Sequence, residues 1–122
     1  MIQLILIFIG GGAGSICRYL IGKVFAFNGL FPWGTLAANV ISCLILGVIM
    51  AIISKEWWTE NSRLLMAVGF CGGFSTFSTF SLETFELLKK KEYLLGFLNI
   101  SGSVIVCVIC IFIGFLIIQQ FK

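Results

Sequence analysis

Apolar residues are grouped along this chain into four long stretches that short polar connections separate. The stretches cover residues 2–21, 31–53, 64–83 and 93–118, and Arg18 and Glu83 are the only charged residues within them. A helix of about 20 apolar residues crosses a bilayer core, whereas an open strand there would leave backbone groups unpaired. The pattern therefore predicts an all-α integral membrane protein, with four transmembrane helices in a single domain over residues 1–122.

The composition agrees with a lipid environment and narrows the chemistry. Hydrophobic residues make up 60% of the chain and charged residues 11%, against about 25% charged in soluble proteins. The absence of histidine removes histidine-ligated metal sites and serine–histidine catalysis, so we expect no enzyme. The net charge is +3, but the only basic run, Lys89-Lys90-Lys91, is typical of a loop anchored at lipid headgroups. No nucleic-acid binding is therefore predicted.

The basic residues divide almost evenly between the two sides of the predicted bundle. The side of the termini has Lys55, Arg63 and Lys122, and the other side has Lys23 and the three consecutive lysines, with Arg18 at the edge of the first span. So weak a bias permits insertion in both orientations, which allows an antiparallel dimer. Aromatic residues typical of the membrane interface lie near the span ends: Tyr19, Trp33, Trp57, Trp58 and Tyr93.

Small residues and cysteines indicate how the helices pack. The motifs Gly10-x-x-x-Gly14 and Gly69-x-x-x-Gly73 are typical of helices in close contact within a membrane. The cysteines are odd in number and all lie in apolar stretches, at Cys17, Cys43, Cys71, Cys107 and Cys110. A disulfide framework is therefore not expected, and we interpret these cysteines as small buried hydrophobic residues.

Polar residues in the second stretch recur at helical spacing. Thr35, Asn39 and Ser42 stand at positions i, i+4 and i+7, so they share one helix face. Such a stripe either joins helices by hydrogen bonds or lines a pathway with amide and hydroxyl protons. The pattern alone leaves both alternatives open.

The third stretch is a poor sequence for a continuous helix. Two adjacent glycines precede a run rich in serine and threonine, residues that compete with helical hydrogen bonds. We predict a break near residues 72–76, at mid-membrane. Backbone freed at that depth is tolerated only next to protein or a water-filled cavity, and its carbonyl groups are suitable ligands for a hard cation.

Phenylalanines follow the same stretch, at Phe70, Phe74, Phe77 and Phe80. They form either a packing stripe or a wall of aromatic edges, whose positive potential suits a small anion. The absence of acidic residues from the spans before Glu83 favours an anion over a cation. Arg18 either biases the entrance towards anions or extends to the headgroups.

Three motifs in order resemble those of the Fluc (CrcB-type) fluoride channels. They are GSICRY at residues 14–19, GTLAAN at 34–39 and GGFSTFSTFSLET at 72–84, and the resemblance extends over nearly the whole chain. It implies an antiparallel, dual-topology homodimer in the cell membrane, typically the bacterial inner membrane. The dimer would have two pores, export toxic fluoride passively and hold a structural sodium ion at its centre.

The resemblance also implies site residues. The fluoride pore would comprise Phe77, Phe80, Asn39, Ser78, Thr79, Thr35, Ser101 and Arg18. Backbone carbonyls of Gly72 and Ser75 would bind the sodium, and position 75 is usually threonine in the family. The fourth helix departs from the family's tyrosine followed four residues later by serine, since it offers Phe97 with Ser101 or Asn99 with Ser103.

Two functions other than a channel are alternatives for a chain of this pattern. A small four-helix multidrug exporter needs a membrane carboxylate in its first helix, and residues 2–21 contain neither Asp nor Glu. A structural membrane protein would use its polar stripes only to join helices. Fluoride efflux from vesicles distinguishes both from a channel.

Overall fold

The computed structural model describes residues 1–53 and 58–120, and within those ranges it contains helices and no strands. The helices are α1 (Ile2–Val24), α2 (Trp33–Ile52), α3 (Glu60–Arg63), a π-helix (Leu64–Cys71), α4 (Gly72–Phe74), α5 (Phe77–Lys89) and α6 (Tyr93–Gln119). The helices from α3 to α5 together form the third span, so four segments are long and apolar enough to cross a membrane. The predicted all-α architecture is confirmed.

The ends of the spans differ from the prediction where polar residues extend a helix. The third span begins at Glu60 rather than residue 64, because the Thr59 hydroxyl caps it by accepting the Ser62 N–H at 3.2 Å. It continues past residue 83 to Lys89, and α1 continues past residue 21. The basic residue Lys23 in the last turn of α1 suits the negative end of the helix dipole.

Backbone contacts at glycine join α1 to the first half of the third span. A Cβ atom at Gly14 would collide with the Phe70 carbonyl oxygen, and one at Gly10 with that of Leu65. Across the same contact, a Cβ at Gly73 would collide with α1 backbone. The prediction that both glycine motifs bring helices together is confirmed, and any larger residue here would separate the two helices.

A second glycine contact, which the sequence motifs did not reveal, joins α2 to α6. A Cβ at Gly47 would collide with the Ile111 carbonyl, and one at Gly114 with the Leu44 carbonyl. Each helix supplies a single glycine to this contact, so no Gly-x-x-x-Gly motif marks it in the sequence. The two helices are nevertheless held at backbone distance.

The three consecutive lysines lie where α5 turns into α6. Lys91 has a left-handed φ of 62°, its N–H donates to the Leu88 carbonyl at 3.0 Å, and the N–H of Glu92 donates to the Leu87 carbonyl at 2.9 Å. These bonds complete the end of α5. The predictions that concern Lys55, Trp57 and Lys122 lie outside the described residues.

Candidate functional site

The third span is interrupted at two residues. Ser75 (ψ 158°) and Thr76 (φ −151°, ψ 123°) are extended, between α4, which ends at Phe74, and α5, which begins at Phe77. The Thr76 hydroxyl restarts the helix by accepting the Thr79 N–H at 3.2 Å. The break predicted for residues 72–76 is therefore present, at the C-terminal end of that range.

The side chain of Asn39 on α2 takes the place of the missing helical bonds. Its Oδ1 accepts the Thr76 N–H at 2.7 Å, and its Nδ2 donates to the Thr76 carbonyl at 3.2 Å. Both backbone groups of Thr76 are thus paired by one amide, which offsets the cost of breaking the helix at this depth. The side-chain nitrogen of Asn39 carries two protons, so one remains for another acceptor.

Other side chains pair with the carbonyl groups around the break. Cys71 accepts from the hydroxyls of Ser42 at 3.0 Å and Ser75 at 2.9 Å. Ser75 accepts from the Arg18 guanidinium at 3.3 Å, and Gly73 from the Ser15 hydroxyl at 3.5 Å. Asn39 and Ser42 therefore both join helices, and the stripe that they form faces the break.

The Gly72 carbonyl is placed differently. In a continuous helix it would accept the Thr76 N–H, which here donates to Asn39. Gly72 is exposed, and a Cβ built on it meets nothing within 4 Å. The break therefore leaves the carbonyl of an exposed residue without its usual helical donor.

One cavity, of about 230 Å³, lies beside the break. Its walls are Asn39, Cys43, Ser75, Thr76, Phe77, Phe80, Ser103, Val104 and Cys107. None of these described residues is charged, and amide, hydroxyl and aromatic groups face the space together. The ring centroids of Phe77 and Phe80 are 5.6 Å apart. Phe80 is 9% exposed whereas Phe77 is 78% exposed, so Phe77 stands on the open side of the cavity.

A buried hydrogen-bond network ties Phe80 to the wall formed by α6. The Thr84 hydroxyl donates to the Phe80 carbonyl at 2.8 Å and accepts from Asn99 Nδ2 at 2.9 Å. Ser103 completes the network by donating to Asn99 Oδ1 at 3.3 Å. Asn99 is 1% exposed. The sequence pattern does not mark Thr84 as a site residue, since its only signal is its place at the end of the hydroxyl-rich run.

The two fourth-helix serines occupy different places. Ser103 lines the cavity, whereas the Ser101 hydroxyl donates to the carbonyl of Phe97 in its own helix at 2.8 Å, and Phe97 is 65% exposed. Within the chain, the structure does not bring Ser101 together with the other predicted pore residues. The pair that meets the cavity network is Asn99 with Ser103.

A second cavity, of about 330 Å³, lies on the other side of Thr76. Its lining includes Arg18, Lys23, Thr35, Thr76 and Thr79. Thr76 thus borders both cavities, and the two basic side chains give the second one a positive potential. Arg18 therefore lies at the wall of the second cavity and also donates a hydrogen bond to the Ser75 carbonyl at the break.

Three polar residues near the second cavity complete the site. The Thr35 hydroxyl donates to Glu83 Oε1 at 2.6 Å, while the buried Oε2 has no hydrogen-bond partner among the described residues. The sequence pattern does not mark Glu83 as a site residue, although it is the only acidic residue in the four apolar stretches. Ser78 is exposed, and its hydroxyl lies 3.3 Å from that of Thr76.

The sequence of this chain is similar to those of known proteins over most of its length. A family model described as "CrcB-like protein, Camphor Resistance (CrcB)" matches residues 5–115. Proteins named "Fluoride-specific ion channel FluC" are similar over almost their full length. Those of Pyrococcus abyssi and Geobacter sulfurreducens are each 42% identical, covering 95% and 98% of this chain and 95% and 99% of the relative. The one from Phocaeicola vulgatus is 42% identical over 93% of this chain and 96% of its own.

Proposed function

The chain belongs to the CrcB family, and from that premise we propose that it is a passive, fluoride-selective channel that lets fluoride leave the cell. It is a multi-pass membrane protein with four spanning helices, and membership in a family of ion channels agrees with the prediction that it is not an enzyme. The observation that carries the proposal is the uncharged cavity at the helix break, in which Phe77 and Phe80 meet Asn39 and Ser103.

This cavity suits a small anion that must bind weakly enough to leave. Ring edges of Phe77 and Phe80 carry partial positive charge, and the second Asn39 amide proton is available. The Ser103 hydroxyl, which donates to Asn99, can turn from Asn99 towards the ion. Together they replace the water around fluoride without a full positive charge that would hold it. Because Thr76 borders both cavities, the proposed route passes it, from the basic side at Arg18 to the phenylalanines.

We propose that two copies assemble, in antiparallel orientation. Phe77 is 78% exposed and Gly72 is also exposed, so the break and the open side of the cavity face outward from a single chain. A second copy would cover them, and the even division of basic residues permits opposite insertion. In sealed cells, an external protease should then cleave about half of the copies of a terminal tag. If it cleaves all of them or none, the antiparallel arrangement is wrong.

The sodium ion expected from the family fits the carbonyl groups at the break. Gly72 has lost its helical donor, and Ser75 accepts one bond from Arg18, which leaves it a second lone pair. Carbonyl oxygen is a hard ligand suited to sodium. A bound sodium would supply positive charge that holds the carbonyls of two breaks together.

Sodium removal tests that ion. A ligand at 100 times its dissociation constant stabilises the folded state by about 2.7 kcal/mol. The melting temperature of the purified protein should therefore fall when sodium is replaced by potassium at equal ionic strength. Equal melting temperatures in the two salts would count against the sodium site.

Fluoride transport itself is tested with purified protein in lipid vesicles. Vesicles loaded with potassium fluoride should release fluoride to an external electrode when valinomycin is added, whereas chloride-loaded vesicles of the same preparation should release none. Protein-free vesicles measure the leak. Size-exclusion chromatography establishes that the protein is assembled, so that absent fluoride efflux, or chloride efflux at the same rate, would overturn the proposal.

A further inference from the structure

Two thiols from different helices meet at one wall of the first cavity. Cys43 lies on α2 and Cys107 on α6, and both line the cavity with Phe77 and Phe80. Both are free, half-buried cysteines. Their half-buried position at a cavity wall differs from the buried packing role that the sequence predicts for them.

The two helices that carry these thiols cross in close backbone contact near them. Gly47 of α2 contacts the Ile111 carbonyl of α6 so closely that no Cβ fits between them. Cys43 and Cys107 each lie one helical turn before that contact. Both thiols are therefore carried by helices near a close backbone crossing, and neither lies on a loop.

Two converging sulfur atoms are a ligand set for soft metal ions. Thiolates select soft metal ions such as Cu⁺ over magnesium and calcium, which need oxygen ligands. A third ligand is absent, since the described residues contain no cluster of three or more cysteine or acidic side chains able to hold a metal. The pair thus suits an ion that is satisfied by two sulfurs in a line.

We propose that Cys43 and Cys107 form a binding site for a soft, two-coordinate metal cation of the class of Hg²⁺, Ag⁺ and Cu⁺. Two S–H bonds break, two sulfur–metal bonds form, and the two protons pass to water in the cavity. No electron is transferred. The ion occupies the space beside Phe77 and Phe80.

A consequence follows for conduction, and it rests on the proposed function. A metal ion and its two sulfurs would fill part of a cavity of about 230 Å³ that the fluoride route includes. Occupancy by mercury should therefore block fluoride efflux, and a dithiol that removes the mercury should restore it.

Binding is measured first, on detergent-purified protein, with Hg²⁺ as the probe and a monothiol as competitor. The wild type should retain one ion per chain at this pair, with the ultraviolet absorbance of a two-sulfur mercury complex. Removing either thiol by Cys43→Ala or Cys107→Ala should weaken retention about 100-fold, because the second sulfur binds intramolecularly. Cys110→Ala, on the same helix one turn further on, is the matched control and should bind as the wild type does.

Melting temperatures show whether each variant folds, and Cys43→Ser and Cys107→Ser replace any alanine variant that does not. The site is overturned if variants lacking Cys43 or Cys107 retain Hg²⁺ as strongly as the wild type, or if Cys110→Ala loses it equally. Efflux is measured second. If fluoride efflux persists while Hg²⁺ saturates the cysteine pair, the proposed block of conduction is wrong, and the binding site is not affected. Vesicles that never release fluoride would contradict the proposed function, and the binding result would stand without it.

Discussion

The third span contains two phenylalanine pairs with the same ring separation in different surroundings. Phe70 and Phe74 lie before the break and Phe77 and Phe80 after it, and in each pair the ring centroids are 5.6 Å apart. The first pair belongs to the half that packs on α1 at glycine, whereas the second lines the cavity. Ring spacing alone therefore does not distinguish a packing role from a binding role.

The difference lies in how each half is held. Before the break, α1 and the third span touch through backbone atoms at Gly10 and Gly14, which leaves no space for an ion. After it, Asn39 bonds to both backbone groups of Thr76, and donors remain that face a cavity. The first half acts as a rigid support, and the second half provides the chemistry.

The largest loss of stability is expected from a side chain placed in the glycine contact between α1 and the first half of the third span. Gly14→Val would place side-chain atoms against the Phe70 carbonyl and should cost on the order of 3 kcal/mol or more, so that little assembled protein is recovered. The matched control is Gly12→Val on the same helix, because a Cβ at Gly12 meets nothing within 4 Å. Equal recovery and melting temperature of both variants, by size-exclusion chromatography and thermal unfolding, would remove the distinction between the halves.

The next largest effect is expected in fluoride efflux, from replacing the Asn39 amide that pairs with Thr76 at the break. Asn39→Asp keeps the size of the side chain but loses the donor to the Thr76 carbonyl and adds negative charge beside the proposed route. Replacing a donor by a carboxylate should cost about 3 kcal/mol, or on the order of 100-fold in fluoride efflux. Efflux at the wild-type rate in reconstituted vesicles would exclude Asn39 from the path.

A smaller effect should decide between the two serines of α6. Ser103 lines the cavity whereas Ser101 bonds to its own helix, so Ser103→Ala should slow fluoride efflux about tenfold, the value of one hydrogen bond to an ion. Ser101→Ala should slow it less. The reverse order would favour the pair Phe97 with Ser101 as the fourth-helix contribution.

Much of the fold follows from the sequence, because hydropathy and glycine content determine where each span and the break lie along the chain. The four spans and the break near residues 72–76 are visible in the spacing of apolar and hydroxyl residues. The bond between Thr35 and Glu83 is not, nor is the network from Thr84 to Ser103. Both depend on the rotation of one helix against another, which close contacts such as that at Gly47 determine.

Parts of the structure are also hard to predict where a sequence pattern is compatible with more than one local structure or role. The sequence places Asn39 on a polar face but does not reveal that its amide pairs with both backbone groups of Thr76. Likewise, the π-helix at Leu64–Cys71 lies in an unbroken apolar run that carries no signal for it. The Asn39 pairing depends on which backbone groups the third span presents to α2.

The central claim is that the phenylalanines after the break line the fluoride route and those before it do not. Fluoride efflux from vesicles containing Phe77→Ile, Phe80→Ile or the matched control Phe70→Ile measures this directly, with assembly verified by size-exclusion chromatography. We expect efflux about tenfold slower in Phe77→Ile and Phe80→Ile, because the aromatic edge is lost while volume is largely kept, and unchanged efflux in Phe70→Ile. Wild-type efflux in both Phe77→Ile and Phe80→Ile would contradict the account.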